Sequence, residues 1–209
     1  MKIPKIYPIT DTQISGLSHA DQVVQLSNGG ATFVQLREKN LSPLDFHNEA
    51  KSALTVARQN GVRLIINDRV DVALALGSDG VHLGQDDLPP EAARDLLGDQ
   101  FIIGYSTHNV AQAVAAAKLP VDYVAIGPIF PTGTKTNPDP TVGLDGLRAV
   151  RESVGSETLL VAIGGITLEN APAVIEAGAD SVALISALLS AGPTGISVSY
   201  RSLAQRLVQ

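Results

Sequence analysis

The sequence predicts a single-domain α/β fold over residues 1–209, a closed (β/α)8 barrel of the TIM type, and three observations carry that reading. First, four segments share one pattern, a small or acidic residue, then Val, then Leu or Ile two positions on. They are Thr32-Phe33-Val34-Gln35-Leu36, Asp79-Gly80-Val81-His82-Leu83, Asp122-Tyr123-Val124-Ala125-Ile126 and Asp180-Ser181-Val182-Ala183-Leu184, with valines 47, 43 and 58 residues apart. Second, apolar strand candidates fall between them, at 3–9, 62–66, 101–104 and 159–163. Eight strands then alternate with helices in a repeating βαβα unit, the signature of a parallel α/β sheet. Third, 209 residues suffice for one barrel with a full core. Right-handed crossovers would also allow an open doubly wound sheet. The repeat favours the barrel, because alternate strands supply alternate layers of its interior.

The helices are legible by period and caps. Ser42-Pro43 starts one with Phe46, Ala50, Ala53, Leu54 and Ala57 on a single face, and Gly61 stops it. Another carries Val110, Ala113, Val114 and Ala117 at the spacing of one helical stripe. Shorter helices end at Gly77 and Gly98, and Leu144, Leu147 and Val150 mark one more. Pro172 fits a first turn but not a helix interior, so a further helix starts at Thr167 or Asn170. Tyr200, Leu203, Ala204 and Leu207 define the last.

Composition excludes several classes of function. With 15 basic and 21 acidic residues the net charge is −6, which argues against a nucleic-acid partner. No run approaches a membrane span, and the first residues do not read as a signal peptide. Without cysteine there are no disulfides or thiolate metal sites, and a cytoplasmic setting is expected. Any anionic ligand must therefore meet a local cluster of cations.

Active sites of such barrels lie at the C-terminal ends of the strands, so the polar residues just past each strand form one surface. They are Gln35, Arg37 and Lys39 after the second strand, Asn67 and Asp68 after the third, and Gln85, Asp86 and Asp87 after the fourth. Ser106 and His108 follow the fifth, Gly164-Gly165 the seventh, and Ile185-Ser186 the eighth. After the sixth comes the most distinctive stretch, 124–135, where a strand breaks at Gly127-Pro128 into a loop bearing Thr132, Gly133, Thr134 and Lys135. Hydroxyls, backbone N–H groups and an ammonium are suitable partners for an oxyanion. The loop is no Walker motif, since Lys135 leads to Pro138 and Pro140 instead of a helix.

Each residue also has an ordinary structural role open to it. Asp87 ahead of Leu88-Pro89-Pro90, and Asp68 ahead of a short helix, would serve as caps; Ser106 and Thr107, taken alone, read as caps of the helix near His108. His82, mid-strand, reads as a hydrogen-bonded interior histidine. Arg37 and Lys39 could be solvated strand-end charges. None of these roles explains why the set collects at one end of successive strands. Two carboxylates beside three cations have the composition of a Mg2+–polyphosphate site. Glycine-rich turns after strands seven and eight form the usual phosphate site of these barrels. Two anion sites at one mouth suggest transfer of a group between phosphorylated molecules.

These residues resemble the thiamine-phosphate synthase family (thiamine phosphate pyrophosphorylases). The matching motifs are Tyr7-Pro-Ile-Thr-Asp11, Gln35-Leu-Arg-Glu-Lys39, Ile66-Asn-Asp68 and Gly80-Val-His-Leu-Gly-Gln-Asp-Asp87. Ser106-Thr-His108, Gly127-Pro-Ile-Phe-Pro-Thr-Gly-Thr-Lys135, Gly164-Gly-Ile166 and Ile185-Ser186 continue them, over nearly the whole chain. The resemblance implies a transferase of thiamine biosynthesis that joins a pyrimidine pyrophosphate to a thiazole phosphate through a dissociative step, with Mg2+ as cofactor. It implies that Gln35, Arg37, Lys39, Asn67, Ser106 and Lys135 hold the pyrimidine pyrophosphate, with Arg37, Lys39 and Lys135 acting on the leaving group. Asp68 and Asp87 would bind Mg2+, with a part for Asp86 left open. Thr132, Thr134, Gly165, Ile185 and Ser186 would hold the thiazole phosphate. The implied partners are the two phosphorylated small molecules, with homo-oligomerisation left open. Three rivals remain: a thiazole tautomerase of the same fold using His108, a Schiff-base aldolase using Lys39 or Lys135, and a phospholigand-binding barrel without catalysis.

Overall fold

Eight short parallel strands close on themselves in chain order: β1 (Ile6–Thr10), β2 (Phe33–Leu36), β3 (Arg63–Asn67), β4 (Gly80–Leu83), β5 (Ile102–Thr107), β6 (Tyr123–Ile126), β7 (Leu160–Ile163) and β8 (Ser181–Leu184). Closure is made by β1 against β8, with Ile6 opposite Val182 and Pro8 opposite Leu184. The computed structural model describes residues 2–133 and 139–208. Among them the helical segments are α1 (Thr12–Ser15), α2 (His19–Gly29), α3 (Pro43–Gln59), α4 (Val70–Leu76), α5 (Pro90–Leu97), α6 (Val110–Ala116), α7 (Gly143–Val154), α8 (Ala171–Glu176), α9 (Ser186–Leu189) and α10 (Ile196–Val208). The predicted barrel is thus the observed one. None of the helices is long and apolar enough to cross a membrane.

Period-two alternation sorts each strand into two apolar layers. Val34, Leu36, Leu64, Ile66, Val81, Leu83, Val124, Ile126, Val182 and Leu184 face the helices in the large outer core. Tyr7, Ile9, Phe33, Ile65, Ile102, Tyr123, Ala125, Val161 and Ala183 fill the barrel itself. The repeated valines therefore mark the strand–helix layer. Their register has a direct consequence: if Val34, Leu36, Ile66, Val81 and Leu83 face out, then Gln35, Asn67 and His82 must face in.

The acids that open three of the repeats close the opposite end of the barrel. Asp79 accepts from the Leu64 N–H, Asp122 from Ile103 and Asp180 from Leu160, each at 2.8 Å. Arginines clamp two of them: Arg94 on α5 pairs with Asp122 at 2.7 Å, and Arg151 on α7 with Asp180 at 2.5 Å. These charges stabilise the N-terminal face and leave the other end for chemistry.

Boundaries shift where the backbone demands it. β1 begins at Ile6 rather than at residue 3, since Pro4 has no N–H to give a ladder. β5 runs on to Thr107, so Ser106 and Thr107 are strand residues and the expectation that they cap α6 is corrected. Asn109 is the cap, accepting from the Gln112 N–H. Ser42 caps α3 as expected, accepting from Asp45 with Pro43 in the first turn.

Candidate active site

At the C-terminal mouth, β2 and β3 place their polar residues side by side. Gln35 is buried in the barrel, where its Nε2 donates to the Tyr7 hydroxyl at 3.0 Å. Arg37, one period on, reaches Asp11 at 3.3 Å. Lys39, half exposed, pairs with the Asp68 carboxylate, and Asn67 donates to the other oxygen of the same group. Asp68 therefore gathers a cation and an amide from two strands onto one carboxylate.

Asp68 has a φ of +62°, the one non-glycine residue among those described in the left-handed region. That conformation is disfavoured for a side chain bearing a Cβ and is concentrated at functional positions. It does not serve a helix cap: α4 has no side-chain cap hydrogen bond. Neither does Asp87, because α5 is also without one. Asp87 instead accepts from the Gly84 N–H at 2.7 Å within the turn after β4. Its carboxyl is held above the usual carboxylate range, first by burial and then by the charge of Asp68 and a hydrogen bond with it. Two carboxylates in hydrogen-bond contact repel unless a proton or a cation lies between them.

β5 completes the near wall. Ser106 Oγ lies 2.8 Å from His82 Nε2, and its carbonyl accepts from Gln85 Nε2 at 2.5 Å. His82 is the hydrogen-bonded interior histidine that its mid-strand position predicts. His108 Nδ1 lies 2.7 Å from the Gly127 carbonyl and 3.4 Å from Asp139.

On the far side, the chain after β6 passes through a cis Gly127-Pro128 bond and is stitched to the end of β7. Ile129 N–H donates to the Ile163 carbonyl and Phe130 N–H to that of Gly164. Gly165, at φ +64°, lies so close beneath this loop that a Cβ there would meet the Pro131 carbonyl at 2.6 Å and Phe130 Cβ at 2.7 Å. Thr132 follows Pro131, the last residue of the loop seen against this turn. Ile185 follows β8 and its carbonyl accepts from the Leu188 and Leu189 N–H groups, while Ser186 opens the four-residue α9. Thr134 and Lys135 lie outside the described residues.

The structure thus brings Gln35, Lys39, Asn67, Asp68, Asp87 and Ser106 into one connected set. Asp11, Tyr7 and Tyr123 were missed as site residues by sequence reasoning. Asp11 doubles as the cap of α1, which hides its second role. The tyrosines read as plain strand apolars until the barrel closes around their hydroxyls.

Known proteins resemble this chain over most of its length. Residues 6–188 match the family described as thiamine monophosphate synthase. The chain is 48% identical over 186 residues to a thiamine-phosphate synthase of Clostridium novyi, covering 88% of this chain and 90% of that protein. It is also 48% identical over 196 residues to one of Koribacter versatilis, covering 90% of each. Among solved structures, the thiamine phosphate pyrophosphorylase of Pyrococcus furiosus superposes with a TM-score of 0.86 at 34% identity, over 98% of this chain and 95% of that one.

Proposed function

Because the chain belongs to the thiamine-phosphate synthase family of transferases, we propose that it joins 4-amino-2-methyl-5-(diphosphooxymethyl)pyrimidine to 4-methyl-5-(2-phosphooxyethyl)thiazole, yielding thiamine phosphate and pyrophosphate. The observation that carries this reading is the meeting of Asp68 and Asp87 at the mouth, beside Lys39 and Asn67, with neither acid capping a helix. The turn contact of Asp87 and the Lys39 and Asn67 contacts of Asp68 do not require the two carboxylates to meet, and a hard cation carrying pyrophosphate would give that meeting a use.

In this reading the methylene C–O bond to the diphosphate breaks, the thiazole nitrogen bonds to that carbon, and the diphosphate leaves with the electron pair. A dissociative step of this kind needs charge placed on the leaving group more than a base. Arg37 and Lys39, with Lys135 from the β6–α7 loop, supply it. Gln35, Asn67 and Ser106 orient the pyrimidine half. Thr132, Thr134, Gly165, Ile185 and Ser186 receive the thiazole phosphate, by the backbone-rich geometry of a barrel phosphate site.

Asp68 and Asp87 are oxygen donors of the sort Mg2+ takes together with substrate oxygens and water. Among the described residues no group of three or more acids or histidines is placed to hold a metal alone, which fits a metal completed by substrate. Bound there, Mg2+ would neutralise charge on the diphosphate. The active site is assigned to the C-terminal ends of the strands and the reaction to the cytosol, the latter supported by the cysteine-free sequence. Lys39 is engaged by the Asp68 carboxylate, which disfavours the aldolase rival.

Incubation with both substrates and Mg2+, followed by mass spectrometry, tests the proposal. Thiamine phosphate formed only when both are present is the expected product. Isomerisation of a thiazole phosphate with no pyrimidine consumed would favour the His108 tautomerase instead.

A further inference from the structure

A continuous hydrogen-bonded line crosses the barrel interior and ends at the mouth. Gln35 Nε2 donates to Tyr7 Oη at 3.0 Å, and the hydroxyls of Tyr7 and Tyr123 are 2.9 Å apart. Tyr123 Oη lies 2.9 Å from His82 Nδ1, and His82 Nε2 lies 2.8 Å from Ser106 Oγ. Tyr7 and Tyr123 are 1% exposed, Gln35 3% and His82 8%, so the line is walled off from solvent along its length. The rings are held in place, His82 and Tyr123 stacked at 5.6 Å and Tyr7 edge-on to Tyr123 at 5.9 Å. The backbone is shaped around them: a Cβ at Gly104 would lie 2.0 Å from Tyr123 Cζ and 2.3 Å from its hydroxyl.

Counting donors sets the direction of every bond. An amide N–H can only donate, so the Tyr7 oxygen accepts. The proton of Tyr7 has one further partner among the described residues, the Tyr123 oxygen. Tyr123 then sends its own proton to His82 Nδ1. Burial raises both phenols above their ordinary pKa and pushes His82 down to about 4, so all three are neutral near pH 7. With Nδ1 accepting, neutral His82 carries its proton on Nε2 and donates it to Ser106 Oγ. The oxygen of Ser106 is thereby engaged from inside, and its hydroxyl hydrogen is left for the mouth.

We propose that Tyr123 and His82 are positioning residues that fix Ser106 as a hydrogen-bond donor towards an acceptor atom of the pyrimidine pyrophosphate. The proposal rests on the reading of Ser106 as a ligand of that substrate. The line is orientational and carries no proton, since its inner end is an amide that neither gains nor loses one. Chains of aligned hydrogen bonds also polarise one another, which strengthens the terminal donor.

Tyr123→Phe keeps the ring and deletes the hydroxyl that sets the direction. Nitrogen-15 spectra of histidine-labelled wild type should show His82 with an unprotonated, pyridine-type Nδ1 and a protonated Nε2. In Tyr123→Phe the two tautomers should mix. The variant should lose roughly tenfold in kcat, the size of one hydrogen bond made in the transition state, with an unchanged KM for thiazole phosphate. In a Ser106→Ala background the same substitution should cost nothing more, because its effect passes through Ser106. A wild-type His82 protonated on Nδ1, or a Tyr123→Phe loss that adds fully to that of Ser106→Ala, would overturn the proposal. A Ser106→Ala variant as fast as wild type would overturn the Ser106 contact and the proposal with it, while product formation judges the two-substrate reaction separately.

Discussion

Replacing Asp68 and Asp87 together by asparagine tests the charge balance of the mouth. Arg37 is paired with Asp11 and Lys39 with Asp68, while Asp87 adds a third carboxylate beside them. With Asp87 ionised, two cations face three carboxylates, a net charge of −1 offered to a diphosphate of about three negative charges. The double variant changes that to +1, the same value Mg2+ would give the wild type. At about 4 Å a unit charge pair is worth about 1 kcal/mol in water and about 4 near a protein surface. Lys39 and Asp68 are 48% and 21% exposed, so the lower figure applies to each carboxylate removed. Together the substitutions should improve metal-free pyrophosphate binding by about 2 kcal/mol, roughly thirtyfold. Titration calorimetry with inorganic pyrophosphate, with chelator and with Mg2+, measures this directly. Mg2+ should sharply tighten binding to wild type and barely affect the variant, thiazole phosphate should bind alike in all four cases, and turnover of the variant should be poor. A variant that binds metal-free pyrophosphate no better than wild type would refute the reasoning.

Lys135→Ala should fold normally and slow turnover by roughly 10²–10³, the usual loss for one electrostatic partner of a leaving group; near-normal kcat would make this lysine a solvated charge. Gly165→Val should raise the KM for thiazole phosphate more than that for the pyrimidine, because its side chain pushes against Phe130 and Pro131 at the base of the loop carrying Thr132. Equal rises in both constants would point to general distortion of the barrel. His82 binds its proton less tightly in the folded state, at about 4 against an ordinary 6.5. Its contribution to stability is therefore complete above pH 6.5 and lost as pH falls towards 4, by up to about 3 kcal/mol. Urea midpoints over that range should fall more steeply for wild type than for His82→Gln, and parallel slopes would contradict it.

The barrel was legible because periodicity and glycine stops carry secondary structure strongly, and because chain order fixes parallel neighbours. The inward direction of Gln35, Asn67 and His82 was contained in the same alternation, once the valines are assigned to the helix side. Taken alone, Ser106 reads as a cap because strand ends are weakly marked: Tyr105-Ser106-Thr107 looks like a helix start until the pairing of Ser106 with Ala125 shows β5 continuing. The Tyr7–Tyr123 contact spans 116 residues of chain, and no local pattern encodes it. The turn at Asp68 was hidden for a different reason, since a left-handed aspartate leaves no signature in composition or period.

The most direct measurement is a crystal structure with Mn2+ in place of Mg2+, together with pyrophosphate and thiazole phosphate, read by anomalous scattering. A single strong metal peak beside the Asp68 and Asp87 carboxylates is the expected result. Pyrophosphate oxygens should complete its shell, and the thiazole phosphate should lie against Gly165 and Ser186. A metal bound elsewhere, or a pyrophosphate held at the Gly165 turn with the two aspartates uninvolved, would contradict it.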